Sequence, residues 1–456
     1  MTATIKNINV IGLGYIGLPT AATLANAGFD VLGIEVRASV VDKINSGDIH
    51  IQEPGLDILV RAAFQRGALR ASLEPRPADA HIIAVPTPIN PDKSPDLSYV
   101  EAATRTIAGV IRPGDLVVLE STVPPRTCEC VVAPIIRELA HLEAGRDYDL
   151  AHCPERVIPG QILHEIIHND RIIGGMTPDA TRRTAALYGS FVKGALLETD
   201  ATTAEMCKLM ENTFRDVNIA LANELATIAD DLGIEVDQAI KLANHHPRVN
   251  IHHPGIGVGG HCIPVDPWFI IHSSPANANL MRTARAINDA RPHALADRIR
   301  TIVQSDAHAV VAFFGLSYKA DVDDIRESPA MEVVRLVAEW MMSPSMCGST
   351  IRLLVVEPHL DTLPVGLADY SCIKQVGIEE ALARANVIVG LVGHSGFKHI
   401  DLMRLQNKTV IDPVRIWPKT VQTHRSFGAN EPMKSAIASG YAVVSVDIQS
   451  ADTTSR

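Results

Sequence analysis

The residues of this chain best suited to covalent chemistry lie in one loop, Gly257-Val258-Gly259-Gly260-His261-Cys262-Ile263-Pro264-Val265-Asp266. Glycines crowd a cysteine, and a carboxylate follows four residues later. A lone cysteine is more often a small buried hydrophobe. On a glycine-rich loop it can also be a nucleophile, because such a backbone can be shaped closely around a reacting carbon. Lys208 and Asn212 stand four apart in a helical stretch and so share one face. They read either as a solvated lysine with a surface asparagine or as a joint donor pair. Further polar groups end strand-like runs: Pro86-Thr87-Pro88, Glu120-Ser121-Thr122 and Cys153-Pro154-Glu155-Arg156. A carboxylate at a strand end beside a cofactor is a candidate acid or base. Glu120 or Glu155 could equally cap the helix that follows.

A second chemistry is suggested by Gly12-Leu13-Gly14-Tyr15-Ile16-Gly17, a GxGxxG motif that follows an apolar run and opens a helical pattern. Eighteen residues past Gly17, Glu35 ends the next strand pattern. In that context the glycines let the backbone approach a pyrophosphate, and the helix start offers N–H donors. Glu35 would accept from the adenosine ribose diol and repel a 2′-phosphate, which favours NAD over NADP; Arg37 nearby opposes that preference. A third grouping, Phe314-Gly315-Leu316-Ser317-Tyr318-Lys319 followed by Asp323-Asp324-Ile325-Arg326-Glu327-Ser328-Pro329, puts a lysine and an arginine near a helix start. It would suit a phosphate or form a salt-bridged surface loop. The 18 histidines show no HExxH pattern and no ligand spacing beyond His245-His246 and His252-His253, so no metal is expected.

The elements that must hold these groups follow from apolar patterning. The runs at 8–12, 31–35, 81–88, 116–122, 149–155 and 171–175 read as buried strands with helices between them, a βαβ series implying a parallel sheet. Ligands in such sheets sit beyond the carboxyl ends of the strands. From Ala201 to Leu232 the pattern is helical without a break, about 45 Å at 1.5 Å per residue, which suits a connector or a dimer face. A second helical stretch runs from about Asn277 to Arg300, and strand-like runs at 308–315, 351–358 and 386–393 begin another α/β domain without a GxGxxG. The 456 residues allow two or three domains, and a formal charge of -11 argues against a nucleic-acid binder. Seven scattered cysteines fit a reducing compartment. With no signal-peptide pattern and no membrane-length apolar run, the expectation is a cytoplasmic protein.

Taken together, VIGLGYIGLP, VPTP, EST, CPERV, EMCKLMENTFRDVNIALANEL, GVGGHC, FGLSYKADVDDIRESPA and the closing VID resemble the UDP-glucose/GDP-mannose dehydrogenase family, from about residue 5 to Trp417. PERVIPGQ, NDRIIGGMTP, HPRVNI and GVGGHC with VDPWFI are similar to the branch acting on UDP-N-acetyl-D-mannosamine. The resemblance implies two Rossmann-like doubly wound parallel-sheet domains joined by a central helical region. The NAD domain is 1–200, the dimerisation region 201–304, the UDP-sugar domain 305–417, and 418–456 an extension of unassigned role. It implies a homodimer whose sites are completed across the interface, with Arg248 reaching the partner's substrate.

The resemblance also assigns site roles. Gly12, Gly14, Tyr15, Ile16, Gly17 and Glu35, with Pro86, Thr87, Ser121 and Thr122, would bind NAD. Cys262 matches the nucleophile, Lys208 and Asn212 the oxyanion donors, and Asp266 the acid supporting Lys208 and the catalytic water. Glu155 matches the hydrolytic glutamate, and Thr122 a residue near the water. Sugar-nucleotide contacts fall on Glu155, Arg156 and Val157; on Lys208, Asn212 and Arg215; and on Gly259, His261, Tyr318, Lys319 and Arg326. Two departures count against glucose. Val265 replaces the lysine that UDP-glucose enzymes carry before the aspartate, and Pro159 replaces their second glutamate. The implied reaction is a four-electron oxidation of the sugar C6 to a carboxylate through a cysteine thiohemiacetal and thioester. UDP-N-acetylglucosamine and UDP-glucose are alternative substrates. A two-electron NAD dehydrogenase and a non-catalytic nucleotide-sugar sensor are the rival classes.

Overall fold

The computed structural model describes residues 4–158, 160–304, 306, 308–343, 346, 351–418 and the backbone of 423–424. Pro159, Cys347 and almost all of the 418–456 extension lie outside the described residues. The chain forms two compact units, Met1–Phe214 with Val265–Ala278, and Arg215–Pro264 with Asn279–Arg456.

The first unit is built on eight strands: β1 Asn7–Ile11, β2 Asp30–Ile34, β3 Leu69–Ser72, β4 Ala80–Ile83, β5 Leu116–Leu119, β6 Asp149–His152, β7 Arg171–Gly175 and β8 Leu196–Asp200. Their order is β3-β2-β1-β4-β5-β6-β7-β8. The first six follow the Rossmann order, with its switch point between β1 and β4. The inner strands are mostly apolar because helices cover both faces: β4 and β5 are buried at every residue, His81 included. Every described pairing is parallel except one. β7 runs antiparallel to β6, with Ala151 opposite Gly175 and His152 opposite Gly174. The expected parallel sheet is thus present, with this one reversal within it. The reversal brings the first residue of β7, Arg171, to the end of the sheet where β5 and β6 finish.

The second unit carries β9 Val310–Phe314, β10 Arg352–Val356, β11 Ile373–Gln375, β12 Val387–Gly390, β13 Thr409–Ile411 and β14 Thr423–His424. The order β11-β10-β9-β12-β13-β14 repeats the Rossmann arrangement, here with all pairs parallel. The long helix spans Ala201–Asp231, 31 residues, and a second one spans Asn279–Val303. Within the second unit the two pack through Val217, Ala220, Ala284 and Ile287. Beside that contact, Arg285 and Asn288 both donate to the buried Asp216 carboxylate, at 2.6 and 2.8 Å. A buried acid placed this way is satisfied by an opposite charge and an amide together. No described helix is long and apolar enough to cross a membrane.

Candidate active site

The glycine turn after β1 shows three different reasons for glycine. Gly12 has φ +90°, and a Cβ there would lie 2.6 Å from the Ala84 carbonyl oxygen. A Cβ on Gly17 would lie 1.8 Å from the Gly12 carbonyl oxygen. Gly12 is therefore required by its positive φ and the close approach of the segment after β4, and Gly17 by the close approach of the start of the helix Gly17–Asn26 to the turn itself. Gly14 is different, since a Cβ there would meet nothing within 4 Å. The protein leaves that face open, which is the cradle a dinucleotide pyrophosphate needs. Tyr15 and Ile16 carry the turn into the helix, and Tyr15 is exposed.

Glu35, just past β2, is buried, and Arg37 folds back on it: the Arg37 backbone N–H and Nε both donate to Oε1 at 3.2 Å. Burial pushes the Glu35 carboxyl up, but the Arg37 hydrogen bonds and charge outweigh it and hold the group below its ordinary value. The carboxylate is thus ionised and can accept from a ribose diol while sharing its oxygens with Arg37. On the other side of the switch point, the ends of β4 and β5 are stitched together beyond the sheet. The Ser121 hydroxyl accepts from the Val85 N–H at 2.9 Å and donates to the Val85 carbonyl at 2.7 Å. Thr87 donates to the Thr122 carbonyl at 2.6 Å. Pro86, Thr87, Ser121 and Thr122 thereby form one fixed ledge at the carboxyl ends of the strands.

The same end of the first unit gathers the acid–base candidates. Glu120 and Glu155 do not cap helices, as one sequence reading allowed. Both carboxylates converge on the buried Arg171 guanidinium. Glu155 Oε1 also accepts from the Arg156 N–H at 2.7 Å. The Arg156 guanidinium pairs with Glu211 at 2.6 Å, and Val157 is half-buried beside it in the chain. The capping role belongs to a residue that the sequence reading did not single out. Glu205, one turn into the long helix, accepts from the Arg126 and Cys128 N–H groups at the start of the helical segment Cys128–Val132. Its signal was a carboxylate in a helical run, which sequence spacing cannot tell from a solvated one.

On the long helix, Lys208 is half-buried and Asn212 fully buried, one turn apart. Asn212 Nδ2 donates to Asp266 Oδ2, and Asp266 is itself buried as the first residue of the helix Asp266–Ser273. The amide that could donate to an oxyanion is thus oriented by the acid four residues beyond Cys262.

In the second unit, the Gly257–Cys262 loop packs on the segment after β9. Cβ atoms on Gly259 and Gly260 would lie 2.9 Å from Tyr318 Cβ and Cε2 respectively. Gly260 also has φ +86° and donates to the Arg326 carbonyl at 3.2 Å. These contacts fix the loop while leaving Cys262 half-buried. His261 lies 3.9 Å from Asp324. Arg326 makes a bidentate pair with the same acid, at 2.9 and 2.6 Å. Lys319 is exposed, and the Ser317 hydroxyl donates to its carbonyl at 2.6 Å. The structure therefore assembles Gly259, His261, Cys262, Tyr318 and Arg326 in one place. Arg248 and Arg215 are exposed. Two other cysteines are poor nucleophiles: burial pushes Cys128 far up and Cys153 up to about 12.

A Rossmann sheet with an open central glycine and an ionised glutamate after its second strand has the form of a dinucleotide-binding domain. The comparisons with known proteins then place it: the chain belongs to the UDP-glucose/GDP-mannose dehydrogenase family. The family's NAD binding domain matches residues 6–192, its central domain 202–290 and its UDP binding domain 312–419. Among curated relatives, the NDP-N-acetyl-D-galactosaminuronic acid dehydrogenase of Ralstonia solanacearum is 50% identical, covering 90% of this chain and 96% of its own. The UDP-N-acetyl-D-mannosamine dehydrogenase of Escherichia coli K12 is 47% identical, covering 90% and 99%. Among solved structures, the UDP-N-acetyl-mannosamine dehydrogenase of Staphylococcus aureus superposes with a TM-score of 0.80 at 40% identity, covering 95% of this chain and all of that one. The protein is thus an NAD-dependent nucleotide-sugar dehydrogenase with a UDP-binding domain.

Proposed function

We propose that this enzyme oxidises C6 of a UDP-N-acetylhexosamine, UDP-N-acetyl-D-mannosamine first among them, to the uronic acid through a covalent intermediate on Cys262. One observation carries the reading: the loop around Cys262 is locked by Gly259 and Gly260 against Tyr318, yet Cys262 itself stays half-buried rather than enclosed. A thiol that only filled a core would need no such cradle. When bound, NAD supplies the hydride acceptor, used twice. The chain's own residues do the rest. Lys208 and Asn212 donate to the alkoxide and later the oxyanion, with Asn212 held by Asp266. Cys262 adds to the aldehyde, which retains it as a thiohemiacetal between the two oxidations. Glu155 takes a proton from the water that hydrolyses the thioester. His261, Tyr318, Lys319 and Arg326 are the residues proposed for the nucleotide-sugar, with Arg156, Val157 and Arg215 beside it.

We also infer a homodimer, with 201–304 as its dimerisation region between the domains 1–200 and 305–417. Met210, Phe214, Leu221 and Ile228 are exposed along the long helix at spacings of four and seven residues. At about 100° per residue they fall within one narrow stripe, the pattern of a helix that packs on a partner. In that dimer the exposed Arg248 would reach the partner's substrate.

Both kinds of curated relative are named for N-acetylated sugars. The 50% identity to the Ralstonia protein, against 48% to the UDP-N-acetyl-D-mannosamine dehydrogenase of Yersinia pestis, favours a second reading in which the sugar has the galacto configuration. Incubating the enzyme and NAD with UDP-N-acetylmannosamine, UDP-N-acetylgalactosamine, UDP-N-acetylglucosamine and UDP-glucose side by side decides among these. Two NADH per uronate is the expected stoichiometry. One NADH per sugar returns the reading to a simple alcohol dehydrogenase, and none to a sensor.

A further inference from the structure

Glu120 has no part in the proposed reaction, yet it accepts from three side chains in a buried polar cluster of the first unit. Arg171 Nη1 donates to Glu120 Oε1 at 3.3 Å, while Nη2 donates to Glu155 Oε2. Tyr188 donates to Glu120 Oε1 and Thr20 to Oε2, both at 3.2 Å. The guanidinium stacks over the Tyr188 ring at 4.9 Å and touches the Cys153 sulfur at 3.8 Å. Glu120, Arg171 and Glu155 are 2, 3 and 8% exposed. Two carboxylates therefore share one buried cation, and Glu155 is the least enclosed of the three. With both ionised the cluster carries a net negative charge, which burial disfavours unless a proton relieves it.

We propose that Glu120 is a positioning residue for hydrolysis of the acyl-enzyme: by competing with Glu155 for the Arg171 guanidinium, it sets how strong a base Glu155 is. This rests on the reading of Glu155 as the hydrolytic base. The groups facing Glu120 are Arg171 from β7, Glu155 and Cys153 from the segment after β6, and Tyr188 and Thr20 from the helices on either side. Burial pushes Glu120 up to about 7; Arg171 pulls it down, and Glu155 pushes it up. Below that value Glu120 is neutral, and the whole Arg171 charge falls on Glu155, weakening it as a base. Above it Glu120 ionises and the Arg171 charge is shared between the two carboxylates. In the hydrolytic step, water oxygen bonds to the thioester carbon and gives a proton to Glu155. The C–S bond then breaks, with its electron pair leaving on Cys262. The Glu155 proton passes to that thiolate, and the product acid ionises.

The test is single-turnover breakdown of the acyl-enzyme on full-length protein, followed by quench and intact mass from pH 6 to 8.5. In the wild type, breakdown should accelerate roughly five- to tenfold as pH rises through about 7. Glu120→Gln keeps the shape but cannot ionise. Its breakdown should be flat across the range at the wild type's low-pH rate, with acyl-enzyme accumulating on Cys262 while the first burst of NADH stays fast. A Glu120→Gln profile that superimposes on the wild type overturns the proposal. Tyr188→Phe, which keeps the ring but removes one hydrogen bond from the Glu120 carboxylate, should move the inflection upward by roughly one pH unit. An unmoved inflection would overturn the proposal even if Glu120→Gln did not fold. Glu155→Gln separates the two ideas. Wild-type breakdown in that variant removes Glu155 as the base, whereas slow breakdown there with an unchanged Glu120→Gln profile removes only the role of Glu120.

Discussion

Replacing Gly14 by alanine should separate cofactor binding from folding more cleanly than any other change in the glycine turn. The added methyl group meets no atom of the protein within 4 Å, and Gly14 does not have the positive φ of Gly12. The native fold should therefore accept it, and alanine should if anything reduce the entropy of the unfolded chain. The pyrophosphate, by contrast, has to approach this backbone to hydrogen-bond distance. Displacing it by the width of a methyl group forfeits about one charge-assisted hydrogen bond, roughly 1.5–3 kcal/mol, which is about a 10- to 100-fold loss of affinity.

Thermal unfolding with and without NAD reads both halves of this argument. At 100 times its dissociation constant, NAD should stabilise the wild type by about 2.7 kcal/mol. At the same NAD concentration Gly14→Ala should gain only about 0.4–1.4 kcal/mol, with its ligand-free melting temperature within a degree or two of the wild type. Gly17→Ala is the control. Its methyl group would lie 1.8 Å from a backbone carbonyl, so that variant should be destabilised without NAD. If Gly14→Ala binds NAD as tightly as the wild type, the open face at Gly14 is not where the pyrophosphate lies. If it unfolds on its own, the space was not open.

Glu35→Ser should weaken NAD and raise the relative use of NADP, because the released Arg37 can then attract a 2′-phosphate; a wild type that already prefers NADP would contradict the role given to Glu35. Cys262→Ser should lower uronate formation by several orders of magnitude while sugar and NAD still bind, and near-normal uronate production would sink the covalent route. Leu221→Glu places a charge in the exposed stripe of the long helix, so it should yield a folded monomer of reduced activity in sedimentation; an unchanged dimer would show that the stripe is not the interface.

The nucleotide half of the site was legible because its signals are local. The GxGxxG turn, Glu35 and the first two strands lie within thirty residues, and each glycine constraint is written in the residue itself. The long helix was legible too, since an unbroken run of helical residues from Ala201 needs no tertiary information, and it ends at Asp231 within a residue of expectation. Edge strands were not. β3 reads LRAS and β8 reads LLETD, with β8 largely exposed. Such strands carry no continuous apolar run, and their pairing partners are what define them. The bond from Asn212 to Asp266 spans 54 residues, and the two residues entered the sequence reading only as separate motifs.

The reversal at β7 explains why the ion-pair partner of Glu155 could not be read from its own segment. RIIGG has the same buried apolar character whether a strand runs parallel or antiparallel, so composition is silent on direction. Direction nevertheless decides which end of the sheet receives Arg171. Were β7 parallel to β6, its first residue would start at the amino end, away from Glu120 and Glu155. Those carboxylates would then share a buried site with no cation, which their burial does not permit. Because β7 is antiparallel, the guanidinium arrives where β5 and β6 end, 51 residues from one acid and 16 from the other. A chain reversal at the edge of the Rossmann core thus supplies the buried charge with which two carboxylates pair at the carboxyl ends of the strands. A candidate base chosen by position alone acquires its properties only from that topology.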